Sequence, residues 1–217
     1  MTDTNSGSLV GRHCLKTGFG LKAKHVEIKE GEETTGTVTN FNTTAETIAG
    51  QSAILTGALA GVATEISCWE VHGQGTFENK TELTEMLAHL DGFLHLTNCV
   101  VKKPSEKGCK IPEETITTQQ LTARTTSAAS GEVKPKEGTK IADIKIEGCS
   151  IPGLNNTFPV TGALKVQISG ATWTSTESQV TTDNTLKFGG VKAGLESALT
   201  PEAHSGPGEG TNPLSVT

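Results

Sequence analysis

Ile141-Ala142-Asp143-Ile144-Lys145-Ile146-Glu147-Gly148-Cys149 is the stretch that decides the fold. Ile144 and Ile146 fall on one side of an extended chain and Lys145 and Glu147 on the other. That period of two is what a half-buried strand requires. Gly148 ends the run and a cysteine follows. The same design stands upstream in Leu94-His95-Leu96-Thr97-Asn98-Cys99. There Phe93, His95 and Thr97 share one face, and Leu94, Leu96 and Asn98 the other.

Working outward, each of these strands is preceded by a second cysteine, Cys68 in the first case and Cys109 in the second. Both halves then read cysteine, strand, connection, alternating strand, small turn residue, cysteine. This faint two-fold echo covers 63–101 and 109–151. It leads us to expect disulfides Cys68–Cys99 and Cys109–Cys149, each worth about 3.5–4 kcal/mol through loop closure. The alternative is a short Cys99–Cys109 staple with Cys68–Cys149 spanning the sheet. The fifth cysteine, Cys14, stands alone as a free thiol or an intermolecular bridge. No C-x-x-C pair and no zinc-finger spacing occurs, so no metal site is expected.

Further out, strand-like segments separated by turn residues recur every ~8–12 residues. They are His25–Lys29, Gly36–Phe41, Ala63–Val71, Gly73–Glu78, Thr115–Thr122, Phe158–Ser169, Thr172–Val180, Thr185–Phe188 and Leu214–Thr217. Ser52–Val62 reads as a strand pair, because Gly57 and Gly61 inside a helix would cost roughly 1 kcal/mol each. Glu82–Leu90 is the helical exception. Leu83, Met86, Leu87 and Leu90 recur at helical spacing, Thr81 can cap the start, and Asp91-Gly92 stops it. The expectation is an all-β antiparallel sandwich or barrel of short strands with one short helix over about 81–91. A flexible arm, 1–14, would precede a single domain over 15–217.

Composition excludes several functions. The 217 residues include 18 Lys+Arg against 24 Asp+Glu, for a net charge of −6. No nucleic-acid partner is expected, because a binding groove needs a basic stripe. Arg12 and Arg124 are the only arginines, so bidentate recognition of phosphate has few tools. No apolar run is long enough for a membrane span. With 34 Thr, 25 Gly, no Tyr and 4% aromatics, the chain has many β-formers and a lean core. Charged residues make up 19%, against about 25% in an average soluble chain. A hydroxyl-rich, Arg-poor surface suits an extracellular or cell-envelope location. Met1–Val10 shows no charged start and no apolar segment, so no signal peptide is visible and a cytoplasmic chain is the alternative.

Four stretches carry a resemblance. They are GQSAILTGALAGVATEISCWEVHGQGTFEN (50–79), LTNCVV with GCKIPEETITTQQLTA (96–101 and 108–123), IEGCSIPGLNNTFPVTG (146–162) and TLKFGGVKAGLE (185–196). Together they resemble a loosely defined set of secreted, Thr/Gly-rich, four-cysteine proteins of actinobacterial soil lineages. The resemblance spans roughly 45–217 and implies an exported, disulfide-linked β-protein. It implies no activity.

Candidate chemistry is sparse. His89 on the expected helix could approach His95 on the next strand, and His13-Cys14 could bind a metal or cross-link. Glu65, Glu70 and Glu78 lie on neighbouring strand segments, where a glycosidase would hold two carboxylates about 5–9.5 Å apart. Asp91-Gly92 and Asp183-Asn184 could offer oxygens to calcium, without EF-hand spacing. No G-x-S-x-G elbow and no phosphate loop exists. Sequons stand at Asn42, Asn79 and Asn155. No catalytic residue and no cofactor is assigned. Trp69 and Trp173 are the candidate ligand-binding residues. For Trp69, next to a half-cystine, packing on its disulfide in the core is the expected reading, and an exposed sugar-stacking residue is the alternative.

The expected function is therefore a non-enzymatic extracellular or envelope-associated structural subunit. It would form a homo-oligomer or filament through polar strands such as Thr115–Thr122 pairing edge to edge. The alternative is a β-sandwich module that binds carbohydrate, such as cell-surface polysaccharide, or another ligand through Trp69 or Trp173. A glycoside hydrolase ranks third.

Overall fold

A computed structural model describes residues 18–19, 21–23, 37–45, 53–82, 85–105, 108–127, 129–169, 172–177, 179, 184–199, 202–204 and 211–216. The expected arm 1–14, with His13 and Cys14, lies outside them, as does the segment 25–29.

The elements are strands, apart from two short 3-10 turns at Pro112–Glu114 and Pro152–Leu154. β1 (Gly18–Phe19), β2 (Leu21–Ala23) and β3 (Thr37–Ala45) precede β4 (Ala53–Leu59). The long pair β5 (Val62–Glu82) and β6 (Glu85–Lys103) follows. Next come β7 (Ile116–Thr117), β8 (Leu121–Ser127), β9 (Ser130–Pro135), β10 (Lys140–Ile146), β11 (Asn156–Thr161), β12 (Leu164–Ser169) and β13 (Thr172–Glu177). β14 (Lys187–Phe188), β15 (Val191–Lys192), β16 (Gly194–Leu199), β17 (Glu202–His204) and β18 (Thr211–Val216) complete the set.

Eight strands form a ladder that closes on itself in the order β5-β6-β8-β9-β12-β13-β16-β4 and back to β5. Every pairing in this ring is antiparallel, so it is a barrel. β3 extends β5 outside the ring, while β1 and β7 attach to β6. A second sheet, β10-β11-β14-β15, packs its apolar face onto the barrel's interior residues, and β17, β18 and β2 form a third.

The sequence explains much of this locally. Ala60 and Gly61 both take positive φ, 48° and 79°, the combination that a two-residue hairpin turn demands. They join β4 to β5 at the pair Leu59↔Val62. Gly57 sits mid-strand because a side chain there would meet Phe188: an added Cβ would lie 3.1 Å from Phe188 Cδ1. In β10, Ile144 and Ile146 are buried while Asp143 and Lys145 face solvent, as the alternation predicts. Phe188 from β14 stacks edge-on against Phe158 from β11, with ring centroids 6.1 Å apart.

The two disulfides are Cys68–Cys99 and Cys109–Cys149. The first joins directly opposed residues of β5 and β6 and is fully buried. The second lies beside the bridge Lys110↔Glu147, whose backbones exchange two hydrogen bonds of 2.9 and 3.0 Å. Glu147 also accepts from Lys145 Nζ at 3.0 Å. That hydrogen bond and its charge, with a smaller contribution from Lys110, hold the Glu147 carboxyl below its usual pKa. Its contribution to stability is therefore present at neutral pH and is lost as pH falls through that lowered value.

Two expectations are corrected. The helix over 81–91 does not form; residues 85–91 belong to β6. Met86 and Leu87 pair with β1, and His89–Gly92 pair with β8 on one edge and β5 on the other. Backbone pairing on both edges outweighs a helical spacing of leucines. Thr115–Thr122 is not one polar edge strand either. Ile116 is buried against the core and pairs with Leu96. The Thr118 N–H donates to Leu94 O (2.9 Å) and the Gln119 N–H to Ile141 O (2.7 Å). The segment thus crosses from the barrel to the small sheet with its backbone groups in use.

Candidate functional site

β5 and β6 alternate inward and outward until they reach Trp69 and Asn98, and there both slip by one residue. Thr64, Ile66 and Cys68 point inward, but the next buried residue is Val71, so Trp69 and Glu70 both face out. On β6 the inward residues are Leu94 and Leu96, then Cys99 and Val101. Asn98, with φ 53°, absorbs the slip in left-handed conformation. The register stays in step, Cys68 with Cys99 and Glu70 with Thr97, because both strands slip together.

The result is a patterned outer face. Trp69 is 49% exposed, and the Lys102 ammonium sits 5.6 Å from its ring centroid. Beyond it, Glu70 Oε2 accepts a hydrogen bond from Thr97 Oγ1 (2.9 Å) and lies 3.5 Å from His72 Nε2. His72 stands directly opposite His95, whose Nδ1 shares a 2.8 Å hydrogen bond with Thr117 Oγ1. Phe93, 42% exposed, ends the row. It pairs with Gln74, five residues beyond Trp69 on β5, so the two aromatic rings are anchored roughly 16 Å apart. The buried disulfide at Cys68 holds the backbone immediately before Trp69. The face therefore carries two exposed aromatic side chains with hydroxyl, carboxylate and imidazole groups between them. The Glu70–His72 ion pair is half exposed and adds little stability.

Trp69 thus does not pack in the core beside its disulfide. Trp173 does the reverse of what a surface ligand residue would do. It is 4% exposed on β13, inside the barrel, and its Nε1 has no hydrogen-bond partner among the described residues. Ser175, two residues on, is 2% exposed, and its Oγ likewise has none among the described residues. A buried hydroxyl without a partner costs about 1–3 kcal/mol, so Ser175→Ala is expected to raise stability by about 1 kcal/mol. Urea denaturation of the variant checks this; a loss of stability would mean the hydroxyl is paired.

The remaining candidates do not assemble. Glu65 and Glu70 lie on one strand, roughly 16 Å apart, beyond either glycosidase spacing. Glu65 is also held by Lys103 Nζ at 2.7 Å. Glu78 is on the same strand, with its side chain outside the described residues. His89 and His95 are both on β6, six residues and so roughly 20 Å apart along the strand, with the His89 side chain outside the described residues. Among the described residues no group of three or more His, Cys, Asp or Glu could hold a metal ion. Asp91 instead accepts from Lys136 Nζ at 2.7 Å and raises that lysine's pKa. Asn184 is buried, donating to Ala193 O and accepting from Leu186 N. Asn155 clamps both backbone groups of Cys149 at 2.8 Å.

Sequence reasoning missed the Glu70–Thr97 and His72–His95 partnerships, which need the register of the hairpin. Phe93 was grouped with His95 and Thr97, but nothing in the alternation said that this face looks outward. No protein-family model, curated protein or solved structure matches the chain. Among the described residues no helix is long and apolar enough to cross a membrane.

Proposed function

We propose that the protein is a non-catalytic, extracellular or envelope-associated binding module that takes a saccharide chain on the β5–β6 face. The observation that carries this is the exposure of Trp69, a large aromatic held out of the core beside a buried disulfide. An indole face stacks on the apolar face of a pyranose ring. Phe93 offers a second plate, and Glu70, His72, Thr97 and His95 supply donors and acceptors for the hydroxyls between. The two disulfides are compatible with an oxidising compartment. The assembly reading drew on Thr115–Thr122 as a strand free to pair, and that segment's hydrogen bonds are made within the chain.

Affinity electrophoresis against a panel of neutral and acidic soluble polysaccharides tests the proposal. At least one is expected to retard the protein. Trp69→Ala should weaken that binding at least tenfold while changing stability by less than about 0.5 kcal/mol, as for other exposed sites. Equal retardation of the variant, or none of the wild type by any polysaccharide, would overturn it.

A further inference from the structure

The barrel interior holds a partly open, apolar cavity of about 100 Å³ where the small sheet packs onto it. Its walls come from Ala53 and Leu55 of β4, Ile66 of β5, Leu94 and Leu96 of β6, and Ile144 of β10. The wall presents no polar surface. Thr118 also lines it, but its Oγ1 is occupied, accepting a hydrogen bond from Leu94 N at 2.9 Å.

Water gains nothing in such a space. A buried water needs two to four polar partners, and this wall offers none, so the cavity favours an apolar occupant. The wall atoms also forgo the dispersion contacts that a filled core would give them. An eight-stranded barrel has an interior of the size that side chains fill or that one small ligand occupies. Here the side chains leave a gap comparable to the apolar cavity of about 150 Å³ known to take benzene or xenon.

We infer that this cavity is a binding site for a small, wholly apolar molecule of about the size of benzene. Selectivity follows from the wall. A hydroxyl on the ligand would be buried without a partner, so phenol is disfavoured relative to benzene. The site is independent of the β5–β6 outer face.

The test uses the full chain with both disulfides formed. Benzene is titrated while the Leu and Ile methyl resonances are followed by NMR, and thermal melting is recorded alongside. Saturable shifts at Leu55, Leu94, Leu96 and Ile144 are expected, with a melting temperature that rises with benzene concentration. Phenol is expected to bind at least tenfold more weakly. Ala53→Leu, which fills the space, should abolish the shifts while its circular dichroism stays that of the wild type. Ala142→Val, at another residue of the wall, serves the same purpose if Ala53→Leu does not fold. Trp69→Ala should leave benzene binding unchanged, which separates this site from the proposed saccharide face. The inference is overturned if no methyl shifts appear up to the solubility of benzene. It is equally overturned if phenol binds as well as benzene, or if the folded filled variant binds like the wild type.

Discussion

Replacing Cys68 and Cys99 together by alanine is expected to lower the free energy of unfolding by about 4 kcal/mol. The bond closes a loop of sequence separation 31, and loop-closure entropy alone predicts about 3.7 kcal/mol. Both half-cystines are buried, so the lost sulfur atoms also leave a small gap in the core. The bond sits where β5 and β6 slip from one inward face to the next, the level at which strand pairing is least protected by alternation. Paired urea titrations of wild type and variant read the effect as a lower midpoint. A loss below about 1 kcal/mol would mean that the β5–β6 hairpin is already ordered in the unfolded chain.

The second large effect is expected at Phe188, where alanine should cost about 4 kcal/mol, within the usual range for a buried aromatic. Phe188 is fully buried, meets Phe158 edge-on, and fills the space that Gly57 leaves in the barrel wall. Its strand is only two residues long, pairing with Val160 on one edge and Val191 on the other, so the buried ring carries much of what holds this short ladder to the core. The Gly57 contact supplies an internal check. Gly57→Ala should destabilise the wild type and be nearly silent in Phe188→Ala, because the atom it would press on is gone. A double-mutant cycle by urea denaturation measures this coupling. Additive effects would show that the two residues do not touch.

How far the fold was legible depends on whether a feature is local. The alternation of Ile141–Glu147 settled β10 because one face of that strand is buried and the other wet. The strand pair expected within Ser52–Val62 is instead one strand, β4, that runs through Gly57, and the turn comes only at Ala60-Gly61, where both residues take positive φ. The repeated placement of cysteines after alternating strands matched both disulfides. The helix over 81–91 was misread because Met86, Leu87 and Leu90 satisfy a helical spacing. Nothing in that window shows that β1, β8 and β5 wait on its flanks. Closure of the barrel was not readable either, since it depends on pairings between distant segments such as Gly194 with Thr56.

The site was legible in part. A strand that turns Cys68 inward turns Trp69 outward, so strict alternation already argued against packing Trp69 on its disulfide. It would also have put Glu70 inside. The slip at Trp69 on β5 moves Glu70 out, in step with the left-handed Asn98 on β6, and neither departure is announced by sequence alone. Trp173 was misjudged for the opposite reason. Its strand of threonines and serines looks polar on both faces, yet one of them lines the barrel.

The bond between Cys109 and Cys149 encloses β8 and β9 of the barrel, the attached β7, and β10 of the small sheet. A protease that cuts the backbone once anywhere from Lys110 to Gly148 therefore leaves one covalent molecule. The nicked chain comes apart into two pieces only when a reductant is added. In an oxidising, protease-rich setting, a single cleavage in this region would not release either sheet.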